Sequence, residues 1–136
     1  MPNHVSNKLT VDGATKEVNR FLKHMGDGFD FEKIIPMPDN IYRDNVSDED
    51  KKRLVKEGRP NWYDWCWENW DTKWNAYSVE REFKNYKHAG GKYIKYTFKT
   101  AWSPPIPVIE KLREDWPELD IYGGYVGECY EFCDQF

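Results

Sequence analysis

The sequence predicts an α+β domain whose strands and helices follow the order βαββαβ. Three observations carry this. Several segments alternate apolar and polar residues with a period of two, two others space their apolar residues as helices do, and a Gly-Gly pair separates two of the alternating runs.

The first strand is read at His4 to Asp12, where Val5, Asn7, Leu9 and Val11 face one way and His4, Ser6, Lys8 and Thr10 the other; Asp12-Gly13 ends it. Thr15 is the expected N-cap of a helix whose Val18, Phe21, Leu22 and Met25 share a face, and Gly26-Asp27-Gly28 stops it. Tyr77, Val79 and Phe83 alternate with Ser78, Glu80 and Glu82 in a second strand. A turn at Ala89-Gly90-Gly91 leads to a third, in which Ile94, Tyr96, Phe98 and Trp102 alternate with Lys95, Thr97 and Lys99. Ser103-Pro104-Pro105 opens a second helix with Ile109, Leu112 and Trp116 as its buried stripe. Leu119, Ile121 and Tyr125 supply a last strand.

This is the split βαβ order of ferredoxin-like domains. The expectation is one domain over residues 1–136: a four-stranded antiparallel sheet, two helices on one face, and the other face polar. Residues at about 28–75 form an insertion between the first helix and the second strand. Within it, Phe29 to Pro38 reads as extended chain, because its prolines lack the N–H a ladder needs. Ser47 caps a polar helix to Gly58, with Asp50 at the capping-box position. Asn61 caps a helix ringed by Trp62, Tyr63, Trp65, Cys66, Trp67 and Trp70. Residues 61–75 hold five of the seven tryptophans. Each indole can bury roughly 150–250 Å², a gross stabilisation of about 4–6 kcal/mol. The segment therefore has to pack, beside an edge or end of the sheet, and at least four of the seven indoles are expected to be mostly buried.

Several strings resemble the YubB-like, or Api-like, small proteins carried by bacteriophages and plasmids. They are Met1-Pro2-Asn3-His4-Val5 with Asn7 and Leu9, Phe29-Asp30-Phe31 with Ile34-Ile35-Pro36-Met37-Pro38, Trp67-Glu68-Asn69-Trp70 with Thr72-Lys73-Trp74-Asn75-Ala76-Tyr77, and Thr100-Ala101-Trp102-Ser103-Pro104-Pro105. The resemblance implies a ferredoxin-like domain and a mobile-element origin, but no mechanism. Asp71 departs from it, standing where the family has glycine; if that turn needs a positive φ, aspartate tolerates it better than most residues. Gly127 to Phe136 matches less well.

The net charge of −4 argues against a duplex binder, which needs a basic footprint. The charge is uneven, with six bases and one acid from Arg81 to Lys99 and eight acids and two bases from Glu110 to Phe136. An acidic C-terminal third permits mimicry of nucleic-acid charge, though eight acids are modest for that role. Three cysteines, no hydrophobic leader after Met1 and no membrane-length apolar run point to a cytoplasmic protein that does not enter membranes. Cys129 and Cys133 form one loose pair and His4, His24 and His88 are scattered, so neither metal nor cofactor is expected. Cys66 between two indoles reads as a small buried hydrophobe. No catalytic motif occurs, so the chain reads as non-enzymatic.

Protein binding is the leading expectation: a host protein, such as a defence component, held through Trp62, Trp67, Asn69, Trp70, Lys73 and Asn75. Asp64, Glu68, Asp71 and Lys73 would form a polar rim. Asn69, Lys73 and Asn75 either satisfy backbone groups among the indoles or face a ligand. The alternative is single-stranded nucleic acid or a nucleotide on the open sheet face, through Lys8, Tyr93, Lys95 and Lys99.

Overall fold

The computed structural model describes residues 3–85 and 90–136. Met1, Pro2, His88 and Ala89 lie outside the described residues. β1 (His4–Ala14) leads into α1 (Thr15–Met25), and α2 (Asp48–Glu57) and α3 (Trp62–Asn69) follow. Then come β2 (Tyr77–Asn85), β3 (Gly91–Ala101), α4 (Ile106–Asp115), β4 (Asp120–Gly127) and β5 (Cys133–Gln135). The strands form one sheet in the order β2-β3-β1-β4-β5, every neighbour antiparallel. The first four have the split βαβ topology that the sequence predicts.

The fifth strand corrects the four-stranded expectation. Cys133–Gln135 pairs with β4 from Gly124↔Gln135 to Val126↔Cys133. The turn between them uses positive φ at Cys129 (56°) and Tyr130 (59°). Phe136 N donates to Gly123 O (3.0 Å), and Arg113 Nη2 on α4 donates to Phe136 O (3.1 Å). All three β5 residues are exposed, so no apolar alternation marks the strand in the sequence.

One face of the sheet is buried. Leu9, Val11, Ile94, Tyr96, Phe98 and Ile121 meet Val18, Phe21 and Met25 of α1 and Val108, Ile109 and Leu112 of α4 in a continuous apolar cluster. Residues from between α1 and β2 join the same cluster: Phe29, Phe31, Ile34, Cys66 and Trp70. Phe29 and Phe31 pack beneath β3, and the tryptophan-rich stretch meets the sheet at the end of that strand, where Thr72 Oγ1 and Lys73 N donate to Ala101 O. Phe29 stacks on Phe98 with ring centroids 4.7 Å apart, and Phe31 meets Phe98 at 6.1 Å and Trp70 at 5.5 Å, both edge-on. These rings lie on the helix-bearing side of β3. The extended stretch expected after Phe29 contains instead a single 3-10 turn at Phe31–Lys33, capped by Asp30, whose carboxylate accepts from Glu32 N (2.9 Å).

Smaller differences have local causes. Ala14 holds the N-cap position of α1 with no side-chain bond, while Thr15 is its first residue and donates from Oγ1 to Gly90 O (3.0 Å). Trp102 falls out of the β3 alternation because the chain turns there at φ 75°, leaving the indole 44% exposed. Trp70 is fully buried at 1%; Trp62, Trp65, Trp67, Trp74 and Trp116 are partly buried. The Ser47–Asp50 capping box of α2 and the Asn61 cap of α3 form as expected.

Trp70 carries the largest test of this packing. Its ring meets Phe31 and Trp65, and its Nε1 donates to Ile35 O (3.0 Å). Trp70→Ala removes the ring and leaves that carbonyl without its donor. The expected loss is about 3–5 kcal/mol, read as a lower urea midpoint in equilibrium unfolding. A loss below ~1 kcal/mol would contradict this account of the core.

Candidate functional site

The groove around the indoles is built by hydrogen bonds before any apolar contact. Asn61 Oδ1 accepts from Asp64 N (2.9 Å), starting α3, while Tyr42 and Asn61 form a parallel bridge. Tyr42 N donates to Pro60 O (2.8 Å) and Trp62 N to Tyr42 O (2.9 Å). Arg59 Nε reaches back to Asn40 O (2.6 Å). With the two stretches laced together, Trp62 Nε1 donates to Asp44 O (2.9 Å), which fixes its ring.

Asn75 fixes the opposite wall. Its Oδ1 accepts from Phe31 N (3.0 Å) and Ala76 N (2.8 Å), and its Nδ2 donates to Asp30 Oδ1 (2.8 Å). At the turn before it, Thr72 Oγ1 donates to Ala101 O (2.7 Å), Ser103 Oγ donates to Asp71 O, and Asp71 takes φ 57°. Aspartate therefore occupies the left-handed position for which the resembled family uses glycine. Trp74 is left partly exposed, with Lys73 Nζ 4.8 Å from the centroid of its ring.

Trp62 and Trp74 are shared by two adjoining depressions. The smaller, about 250 Å³, is completed by Met37, Trp70, Arg43 and Glu32, the last two ion-paired at 3.4 Å. The larger, about 450 Å³, is completed by Asn45, Val46, Asp48, Tyr63, Lys51 and Lys73. Lys51 lies 5.4 Å from the centre of the Tyr63 ring and 3.4 Å from Asp64. Such a surface offers aromatic walls with ammonium groups at the rim, suited to an apolar anchor beside a negative charge.

The structure distributes the expected protein-binding residues unequally. Trp62 lines both depressions, Lys73 the larger and Asn75 the smaller. Trp67 lines neither and packs edge-on to Tyr63 at 6.4 Å. Asn69 Nδ2 donates to Trp65 O (3.0 Å) within its own helix. Trp70 lies at the floor of the smaller depression but is buried at 1%, so it acts as a core residue, its indole held inward by the bond to Ile35. Asn69 and Asn75 thus satisfy backbone groups. Of the expected rim, Asp64 is engaged by Asn61 and Lys51, whereas Glu68 and Asp71 are exposed. Sequence reasoning missed Trp74, Arg43 and Lys51. Trp74 lay in the indole run, but nothing in the sequence placed the 43–51 segment opposite it.

The open sheet face carries the second set. Lys8, Lys95 and Lys99 are exposed and Tyr93 is partly buried. Lys8 pairs across with Thr97 and Gly124, and Ser6 with Lys99 and Val126. A hollow of about 360 Å³ lies over Ser6, Lys8, Thr97, Gly124 and Val126. The Gly123-Gly124 pair inside an expected strand was its sequence signal.

Cys66 is fully buried, and burial pushes its thiol up to about 12; Arg43 opposes this and Glu32 adds to it. It stays protonated at neutral pH and is no nucleophile. Among the described residues no cluster of three His, Cys, Asp or Glu is placed to hold a metal, and no helix is long and apolar enough to cross a membrane.

The topology defines a ferredoxin-like α+β fold with the indole groove on one side and an open sheet face on the other. Residues 69–133, just under half the chain, match the family model described as a ferredoxin-like domain in Api92-like protein. That span runs from the end of α3 to the first residue of β5 and leaves out the resembling strings near Met1 and Phe29. No curated protein and no solved structure matches the chain.

Cysteine chemistry follows from burial. In native protein at pH 8, a thiol reagent that absorbs on reaction should titrate Cys129 and Cys133, which are exposed, and reach Cys66 only after denaturant is added. Rapid labelling of Cys66 in folded protein would contradict its burial.

Proposed function

We propose that this is a non-enzymatic binding protein of phage or plasmid origin. Its contact surface is the groove at Trp62 and Trp74, and its target is a host protein, with defence components the first to examine. The carrying observation is the pair of partly exposed indoles shared by two adjoining depressions, with Lys51, Lys73 and Arg43 around them. Aromatic and arginine anchors in preformed depressions dominate protein-binding energetics. Both walls are already held by hydrogen bonds from Trp62 and Asn75, so little ordering cost remains at association. The shut-away Cys66 thiol favours recognition over nucleophilic chemistry. The mobile-element origin rests on the resemblance of the strings quoted above.

Immobilised protein incubated with host lysate tests the reading. One host protein should be retained by the wild type and by Val55→Asp, a change at an exposed α2 residue outside both depressions. Retention should fall at least about tenfold in a Trp74→Ala/Lys73→Glu variant, as for the loss of one hot spot. Reproducible retention of nothing, or equal retention by all three proteins, defeats the proposal.

A further inference from the structure

The open face of the sheet is separate from the indole groove. α1, α4 and the Phe29–Trp70 aromatics all pack on the other side. Along β3 the outward residues are Tyr93, Lys95, Thr97 and Lys99; along β1 they are Ser6, Lys8, Thr10 and Asp12. Lys95 and Lys99 stand four residues apart on one strand, about 14 Å. Lys8 faces Thr97 midway between them on the neighbouring strand, which puts it about 8 Å from each. Among the described residues, none of these three lysines takes part in an ion pair.

The acids of this face lie around that track. Glu80 and Glu82 on β2 sit opposite Thr97 and Lys95, and Asp12 pairs with Asp120 at the far end of β1. Asp134 of β5 adds an acid at the rim of the hollow beside Lys8, so Lys8 and Lys99 form a positive centre bounded by acids, and Glu80 and Glu82 bar a polyanion from the β2 side. Next to Lys8 the sheet is bare. Gly124 has no side chain, and a Cβ there would stand 2.8 Å from Asp134 O of β5. The fifth strand thus requires a glycine, and the glycine opens the 360 Å³ hollow that Ser6, Thr97, Tyr125, Val126 and Asp134 wall. A flat ring can lie on a bare strand backbone, with its charged linkage on the lysines beside it.

We propose that this face binds single-stranded nucleic acid, one base seated in the Gly124 hollow and the flanking phosphates on Lys8 and Lys99. Duplex is disfavoured because its bases are stacked inside and cannot enter the hollow, and because the β2 acids repel the second strand. The site is independent of the indole groove: the groove variant Trp74→Ala/Lys73→Glu keeps it intact.

Fluorescence anisotropy of labelled twelve-nucleotide single-stranded DNA and RNA, with a duplex of the same sequence, provides the test. At low salt, saturable binding to at least one single strand is expected, tighter than to duplex, and the two strand types separate DNA from RNA as the ligand. Lys8→Glu/Lys99→Glu should weaken it at least ~tenfold and flatten the slope of log affinity against log salt by about 1.4, at about 0.7 per phosphate. Ser6→Leu, which fills the hollow with an aliphatic side chain that offers no stacking face and keeps the lysines, should weaken it about tenfold by excluding the base. Glu80→Lys/Glu82→Lys should bind more tightly with a steeper slope, a gain that no folding defect can imitate. The proposal is overturned by absence of saturation with either single strand, by duplex bound as tightly, or by indifference to the charge changes at Lys8 and Lys99.

Discussion

The seating of the long segment between α1 and β2 depends on the stack of Phe29 against Phe98 and the edge-on contacts of Phe31 with Phe98 and Trp70. These rings join a long excursion of chain to the sheet. Without them the segment between α1 and β2 would keep Ile34, Cys66 and Trp70 but lose its ring contacts with β3, and its exposed ion pairs, such as Arg43–Glu32 and Lys51–Asp64, contribute little. With them, both ends of the excursion are anchored in the core. Its middle, α2 and the start of α3, can then present side chains outward in fixed positions.

The anchoring also explains why so many polar residues stand among the indoles. Asn69 and Asn75 read in the sequence either as ligand contacts or as partners of backbone groups, and Asn61 as a cap; each bonds a main-chain atom. A buried backbone group without a partner costs about 1–3 kcal/mol, comparable with the gain from a buried side chain. Aromatic density and amide side chains are thus two halves of one packing solution, and the side chains left at the surface between the two depressions are Trp62, Trp74 and the cations around them.

The repeating elements were legible because their signals are local. β1 and β3 alternate strictly, α1 spaces its apolar residues at helical intervals, and Ser47 and Asn61 are caps whose chemistry needs no distant partner. β5 was not legible, since its three exposed residues gain stability only through β4 and Arg113. Thr15 was misread because Gly90, 75 residues away, takes its hydroxyl. At the candidate groove, Trp62 and Lys73 could be named, but their neighbours Arg43 and Lys51 come from a segment whose placement is tertiary. Trp70 showed the reverse problem: chain position gave its abundance of apolar area but not the direction in which it points.

The two flanks of the sheet have consequences for how copies of this molecule can meet. On one side, β5 covers most of the outer hydrogen-bonding edge of β4 and offers in its place only three residues of its own. On the other, β2 is bent by an irregularity between Tyr77 and Glu80 and bears Glu80, Arg81 and Glu82 in succession. Short, kinked or charged margins discourage a neighbouring chain from extending the sheet. Fibrillar growth by ribbon-to-ribbon accretion is therefore hindered at both ends, and the molecule can keep one broad surface uncovered without the usual risk of sticking to itself.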